Sequence, residues 1–413
     1  MEAEIIAVGS EMLTAGRVDT NSLFLTAQLN DLGIEVTAKH VIGDDRERLA
    51  SAVRRALGAV RLVIISGGLG PTEDDVTRDA VALALDRRQT LNPEILTGIE
   101  QRFRSMNRPM PDINRRQAMV IEGAHVLPNE RGTAPGQWIE DADRIAVLLP
   151  GPPHELKHMF ERQCLSRLAR IAPPLAIHTL VLRISGMSES ELDQTIAPIY
   201  KRYENPATTV LAHNGDMQVH LRARCGSERE AKALLAEVGS QIELALGDRI
   251  YSRNGDPLEV VVGQKLAARR ATLTVAESAT GGGLADRISL VPGSSAYFLG
   301  GFVTYSRRLK VDLLGVPEDL LHRFGPVSHE TALAMANGAL RRTGATYAIA
   351  ITGNAGPTTD GNEAPSGAFF VAIGTSQDIQ VAHRVWPAPD RVRVRAFAAQ
   401  VALDLLNRRL NQS

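Results

Sequence analysis

An uninterrupted apolar run, Leu62-Val-Ile-Ile65, limits the fold classes open to the N-terminal part of this chain. Such a run offers hydrophobic side chains to both faces of a sheet, as the central strands of parallel sheets do. Three further segments have strand character: residues 5–8, 34–41 and 144–149. They alternate with helical periodicity over residues 21–32, 46–57 and 154–168. The alternation predicts an α/β domain of the doubly wound type.

The rest of the chain divides into two more segments. Pro173-Pro174 breaks both helix and sheet, and the alternation that follows, with helical periodicity over residues 228–246, predicts a small α+β domain. A second α/β pattern begins after the polar turn cluster at residues 251–257. Its strands are predicted at residues 272–276, 297–305, 347–351 and 368–373, and its last helix at 391–410. We therefore predict three domains, residues 1–172, 173–252 and 253–413.

Charge and cysteine content exclude several classes of protein. Among 413 residues, 46 are basic and 47 acidic, so no overall field recruits DNA, RNA or an anionic membrane. Cys164 and Cys225 are too few for a disulfide framework or a cysteine-based zinc site. The acidic start and the lack of an apolar run of about 18 residues predict a cytoplasmic protein without a membrane segment.

A serine follows the first strand of the third domain, in Glu277-Ser278-Ala-Thr280-Gly281-Gly282-Gly283. Open α/β sheets keep their sites at the carboxyl ends of strands. Backbone N–H groups of the glycines and the next helix N-terminus would stabilise a phosphate or a developing oxyanion. The alternative is a tight turn with a serine or threonine helix cap.

A nucleophilic serine requires a base, and two candidates follow the next apolar strand. Lys310 acts as a base when burial disfavours its charged form, and the Tyr305 hydroxyl can relay a proton. The alternative for Lys310 is a solvated surface lysine.

A third strand leads into Thr352-Gly353-Asn-Ala-Gly356-Pro357. Thr352 could donate to an oxyanion or orient the nucleophile. The polar loop over residues 358–367 is of the kind that closes over substrates, or it is a solvated connector. Arg391, Arg393 and Arg395 begin the last helix and could clamp a phosphate, or belong to an exposed charged face.

The first domain carries its own glycine turn, from Ser66-Gly67-Gly68-Leu-Gly70 to Thr72-Glu-Asp74-Asp75. Backbone amides can hold a phosphate while Asp74 and Asp75 hold a divalent metal against it. Asn21 could complete the cleft. Alternatively, Thr72 and the two aspartates cap the next helix.

Several motifs occur together in the third domain: Glu277-Ser278-Ala-Thr280-Gly-Gly, Val291-Pro-Gly-Ser-Ser-Ala-Tyr297, Tyr305 with Lys310, Val327-Ser328 and Thr352-Gly-Asn-Ala-Gly356-Pro357. In this order they resemble the CinA C-terminal domain, the nicotinamide mononucleotide deamidase family. The resemblance implies a metal-free serine amidohydrolase that produces nicotinic acid mononucleotide and ammonia, with Ser278 as nucleophile. It also implies catalytic roles for Tyr305, Lys310 and Thr352, and a phosphate contact near Arg391.

The first domain resembles the CinA N-terminal domain and its molybdopterin-binding-like fold, through motifs such as Ala7-Val-Gly9-Ser-Glu11, Asp19-Thr-Asn21, residues 66–79 and Asn114-Arg-Arg-Gln-Ala118. For some relatives this implies an ADP-ribose pyrophosphatase that uses Mg, Mn or Co. The middle domain resembles the family's KH-like linker domain. No Gly-x-x-Gly loop with basic residues occurs there, so we expect a spacer or dimerisation element and do not expect nucleic acid as a partner. The resemblance to the family also implies a homodimer.

Together these features predict an enzyme of pyridine nucleotide salvage that acts on small nucleotides. A hydrolase of a different amide stays open. An alternative from another class is a non-catalytic competence or recombination accessory protein that binds a nucleotide or a pterin-like ligand.

Overall fold

A computed structural model describes residues 1–213, 215–357, 364–386 and 390–412. Two compact units are distinguished, Met1–His178 with Ala223–Leu234, and Thr179–Arg222 with Leu235–Ser413. Each predicted domain range contains one main sheet. The domain boundaries stay predictions.

The N-terminal range is built from eight strands and six α-helices. The strands are β1 (Glu2–Val8), β2 (Glu35–Ile42), β3 (Leu62–Ser66), β4 (Gln89–Leu91), β5 (Met119–Ile121), β6 (His125–Leu127), β7 (Gly136–Asp141) and β8 (Arg144–Leu149). The helices are α1 (Thr20–Asp31), α2 (Arg46–Ala59), α3 (Thr77–Ala84), α4 (Pro93–Ser105), α5 (Pro153–Met159) and α6 (Leu165–Ile171).

The main N-terminal sheet has the order β2-β1-β3-β8-β7-β6, and its first four strands are parallel. Successive residues of the central strands enter different cores. Ile6 and Val63 pack with α2 and α3, whereas Ile5 and Ile64 pack with α1 and α5. This confirms the predicted α/β class. β7 and β6 form an antiparallel edge that the apolar pattern did not predict, because a pattern of burial does not contain strand direction.

The middle range forms an α+β module, as predicted. Its elements are β9 (Ala176–Ser185), α7 (Glu189–Tyr200), β10 (Ala207–His213), β11 (Asp216–Cys225), α8 (Glu228–Leu246) and β12 (Ile250–Ser252). The sheet order is β10-β11-β9-β12. Helix α7 was not predicted, although its capping box is readable in the sequence: the Ser188 hydroxyl and the Glu191 carboxylate each accept a backbone N–H of the other residue.

The described part of the C-terminal range has five strands and six α-helices. The strands are β13 (Leu273–Glu277), β14 (Phe298–Val303), β15 (Tyr347–Gly353), β16 (Ala368–Gly374) and β17 (Ile379–Val385). The helices are α9 (Leu258–Ala268), α10 (Gly283–Ser289), α11 (Arg307–Leu314), α12 (Glu318–Phe324), α13 (His329–Thr343) and α14 (Arg391–Gln412).

The C-terminal sheet has the order β14-β13-β15-β16-β17. β14, β13 and β15 are parallel, and β16 and β17 add an antiparallel edge. Helices α9, α10 and α14 cover one face, and α12 and α13 cover the other. The carboxyl ends of three parallel strands therefore meet at one edge of the sheet, where the predicted catalytic segments begin.

Two further sequence predictions concern the covering loop and a membrane-spanning segment. Part of the predicted covering loop, residues 358–363, lies outside the described residues. Within the part of the chain that is described, we find no helix with the length and hydrophobicity that a membrane-spanning segment requires.

Candidate active site

Backbone hydrogen bonds align the ends of β13, β14 and β15. The Ser278 N–H donates to the Ile351 carbonyl at 2.9 Å, and the Thr304 N–H donates to the Glu277 carbonyl at 2.7 Å. These bonds extend the parallel pairing one residue beyond the strands. As a result, Ser278 lies between the chain segments that continue into α11 and into the loop after β15.

Ser278 and Lys310 form a buried pair. Lys310 lies one turn into α11, and its Nζ is 2.9 Å from Ser278 Oγ and 2.7 Å from the Thr304 carbonyl oxygen. The lysine is 1% exposed and the serine 7% exposed. The alternative of a solvated surface lysine is therefore wrong. Because burial disfavours the charged form of an amine, this position suits a group that exchanges a proton with the Ser278 hydroxyl.

The pair opens into a cavity of about 340 Å³, within the size range of small-molecule sites. Arg391 also lines the cavity, donating to the Tyr305 hydroxyl at 2.6 Å and to the Gly356 carbonyl at 3.0 Å. The Tyr305 hydroxyl thus accepts a hydrogen bond from Arg391. The sequence had instead predicted that this hydroxyl relays a proton. Gly353 and Gly356 are also in the lining, and their predicted role in substrate binding stays a prediction.

A second arginine in the lining, Arg307 at the start of α11, was not predicted. Its position two residues after Tyr305 was the available signal, since a basic residue opening a helix at a strand end can face the same crevice. Two guanidinium groups, from Arg307 and Arg391, therefore line the same cavity as the Ser278 hydroxyl and the Lys310 amine. Such an arrangement fits a ligand with an anionic group at one end.

The glycine turn after Ser278 does not offer its N–H groups to a ligand, contrary to the prediction for Gly281 and Gly282. The buried Glu277 carboxylate accepts the N–H groups of Gly282, Leu284 and Ala285 at 3.0, 3.1 and 2.8 Å. Gly281 donates its N–H to the Ser278 carbonyl at 3.0 Å. The reason is that a carboxylate of the chain itself already occupies the positive end of α10.

Two predicted threonines also differ from expectation. The buried Thr352 hydroxyl donates to the Pro326 carbonyl at 2.6 Å, so its proton is not directed at an oxyanion. It instead holds the segment Pro326-Val327, which lines the cavity. Thr280 is 1% exposed and outside the lining, and its carbonyl accepts from the Arg395 guanidinium. Both threonines therefore position other groups.

Two charged side chains, Asp75 and Arg78, hold the glycine turn of the N-terminal sheet. Gly68, Gly70 and Asp75 line a cavity of about 290 Å³. Asp75 accepts the Gly70 N–H at 2.7 Å on one carboxylate oxygen and the Thr72 N–H at 2.8 Å on the other. Asp75 therefore closes the turn through these bonds and does not cap α3, whose N-cap residue is Val76 and makes no side-chain capping hydrogen bond.

A buried arginine completes this turn. Arg78 donates to the carbonyls of Leu69 and Gly70 at 2.7 and 2.9 Å, and burial lowers the pKa of its guanidinium to about 10. Gly67 has φ +97°, and a side chain there would meet the Val8 carbonyl. Gly67 is thus required by the backbone and does not line the cavity.

The remaining N-terminal site residues are only partly brought together. Asp74 is exposed, and Asp74, Thr72 and Asn21 are not in the cavity lining. Asn21 donates to the carbonyl of Gly151, which does line it. Among the described residues, no three carboxylate, imidazole or thiol side chains are grouped to hold a metal ion. The donor set does not fit a metal held by the protein alone, so phosphate oxygens of a ligand would have to complete the coordination.

Fold and site together define a multidomain α/β protein with a buried serine–lysine pair. Three family models match the chain: "probable molybdopterin binding domain" at residues 4–170, "damage-inducible protein CinA KH domain" at 179–252 and "CinA C-terminal domain" at 255–410. A CinA-like protein of Solibacter usitatus is 62% identical over 99% of this chain and 98% of its own length. The chain therefore belongs to the CinA family.

Two other relatives are similar over their whole length. A CinA-like protein of Koribacter versatilis is 44% identical over 99% of this chain and 100% of its own length. A putative competence-damage inducible protein of Symbiobacterium thermophilum is 41% identical over 99% of both chains.

Proposed function

We propose that this CinA-family protein is an amidohydrolase that converts nicotinamide mononucleotide and water into nicotinic acid mononucleotide and ammonia. The observation that carries the proposal is the buried Ser278–Lys310 pair, with 2.9 Å between Oγ and Nζ, at the wall of a cavity that two arginines also line. A neutral lysine beside a serine supplies both a base and a nucleophile for amide cleavage.

In the first half of the proposed reaction, Ser278 Oγ attacks the carboxamide carbon while its proton passes to Lys310 Nζ. The carbon–nitrogen bond then breaks, and the proton on Lys310 goes to the departing nitrogen, which leaves as ammonia. In the second half, water attacks the acyl ester and gives a proton to Lys310. The ester breaks, Ser278 Oγ recovers that proton, and the carboxylic acid is released.

The rest of the cavity supports the choice of substrate. Arg391 and Arg307 are our candidates for the phosphate contact, with Tyr305 holding Arg391 in place. Ala279 lines the cavity next to the nucleophile, so its backbone N–H is our candidate donor to the oxyanion.

The direct test is ammonia release from nicotinamide mononucleotide by the full-length protein, with and without EDTA. We expect EDTA-resistant release that Ser278→Ala abolishes. Ser289→Ala is the matched control, because Ser289 is exposed at the end of α10 and outside the cavity lining. Release by Ser278→Ala at the wild-type rate would reject the nucleophile. No release by well-folded wild type would favour a different amide or the non-catalytic alternative.

For the N-terminal cavity we propose, as a second activity, cleavage of ADP-ribose to AMP and ribose 5-phosphate. The support is the position of Gly68, Gly70 and Asp75 in one cavity lining. Asp75 would hold a divalent metal (Mg, Mn or Co), and the chemistry that such a metal supplies is neutralisation of charge on pyrophosphate oxygens. AMP release by the Ser278→Ala protein, measured with each metal and with EDTA, tests this activity separately. The homodimer and the cytoplasmic location stay predictions.

A further inference from the structure

A larger cavity, of about 720 Å³, lies in the second compact unit, between the middle module and helix α14. Among the described residues, it shares no lining residue with the cavity at Ser278. Its walls include the turn after β9, the end of β17 and one side of α14. The proposed reactions do not use it.

Specific contacts fix the walls of this cavity. The Ser185 hydroxyl donates to the Asp404 carboxylate, which also accepts from Arg408 Nε at 2.9 Å. Gly215 lies so close to α14 that a Cβ there would come within 2.7 Å of the Phe397 ring. The middle module and α14 are therefore packed together around the cavity, which is consistent with a pre-formed binding site.

Two side chains in this lining carry buried N–H donors that lack partners among the described residues, Trp386 Nε1 and Gln400 Nε2. Gln400 is 5% exposed, and its side-chain oxygen accepts from Arg287 at 2.9 Å, which fixes the orientation of the amide. A buried donor without an acceptor is unfavourable, so a ligand that supplies acceptors would be stabilised here.

Aromatic and cationic groups complete the lining. The rings of Trp386 and Phe397 are tilted against each other, with 4.4 Å between their centroids. Three guanidinium groups line the cavity, from Arg384, Arg393 and Arg408, against the carboxylates of Glu189 and Asp404. Since Asp404 is engaged by Arg408 and Ser185, cationic groups predominate at the rest of the wall.

We propose that this cavity binds a nucleoside monophosphate. The base packs against Trp386 and Phe397 and accepts hydrogen bonds from Trp386 and Gln400, and the phosphate is bound by Arg393 and Arg384. An aromatic surface, unmatched donors and guanidinium groups in one cavity are the three features that such a ligand requires.

Tryptophan fluorescence offers a direct test, because the chain has two tryptophans and one of them, Trp138, lies in β7 of the N-terminal sheet. In the full-length Trp138→Phe protein, Trp386 is the only indole emitter. We expect AMP to change its emission saturably. Adenosine, which lacks the phosphate, and ribose 5-phosphate, which lacks the base, should each bind at least about tenfold more weakly.

Substitutions at two arginines test whether AMP binds in this cavity. Arg393→Gln should weaken AMP binding about tenfold, the effect of one charge-assisted hydrogen bond. Arg308→Gln should not, since that side chain is exposed on α11 and outside this lining. Calorimetry on otherwise wild-type protein repeats the comparison without Trp138→Phe. The absence of a saturable response to AMP, or equal affinity in both arginine variants, would overturn the proposal.

Discussion

The two α/β domains each follow a central strand with a glycine turn, and each turn is closed by an acid. In the C-terminal domain Glu277 accepts three N–H groups from the turn and the start of α10. In the N-terminal domain Asp75 accepts two from the turn. Glu277 is buried outside its cavity lining, whereas Asp75 is itself part of the lining.

This difference decides what each cavity can do. Because Glu277 stabilises its turn from the buried side, Ser278 is left at the cavity wall with Lys310 as partner. In the N-terminal turn the charged groups of Asp75 and Arg78 are both used to hold the loop. A glycine turn after a strand is therefore insufficient evidence for an anion site. The groups that already occupy its N–H donors must also be known.

The largest loss of activity is expected from substitution of Lys310. Lys310→Met should lower the rate of ammonia release by about 10²- to 10⁴-fold, because it removes the base. Lys310→Arg should be similarly inactive, since a guanidinium cannot accept the proton at neutral pH. Lys232→Met, at an exposed lysine, is the control. If Lys310→Arg retained most of the activity, Lys310 would act through its charge alone.

The next effect is on stability. Glu277→Gln leaves one acceptor oxygen for three N–H groups, so we expect the free energy of unfolding of the C-terminal domain to fall by about 2 kcal/mol. Urea unfolding followed by circular dichroism measures this. An unchanged midpoint with unchanged slope would show that the turn does not depend on the carboxylate.

Much of this architecture was readable from apolar periodicity. Helix α8 begins and ends at the predicted residues 228 and 246. The strand that precedes Ser278 and the strand that contains Thr352 lie within two residues of their predicted ranges. What the pattern did not contain is strand direction and hydrogen-bond partners. Glu277 accepts N–H groups at the start of α10 only because the fold brings its carboxylate there. The hydrogen-bond partner of the Thr352 hydroxyl is likewise set by the position of the Pro326 carbonyl in the fold.

Loss of the Arg391 side chain should weaken substrate binding by a smaller factor than loss of the Lys310 amine lowers the reaction rate. Arg391→Gln should raise KM for nicotinamide mononucleotide about tenfold with little change in kcat, because it removes a proposed phosphate contact made equally in ground and transition states. Steady-state kinetics provide the measurement, and Arg308→Gln is the control, since that side chain is exposed on α11 and outside this lining. A fall in kcat with constant KM would instead place Arg391 in the chemistry.

The smallest change in stability is expected at Asp75, and the same variant tests whether the N-terminal activity can be lost without affecting deamidation. Asp75→Asn keeps one acceptor oxygen and removes the charge, so the N-terminal domain should lose about 1 kcal/mol of unfolding free energy. Deamidation should be unchanged, whereas the proposed metal-dependent release of AMP from ADP-ribose should be lost. A variant that kept AMP release while losing stability would show that Asp75 serves only the loop, through Gly70 and Thr72. The glycine turn would then organise the cavity without supplying a ligand for the metal.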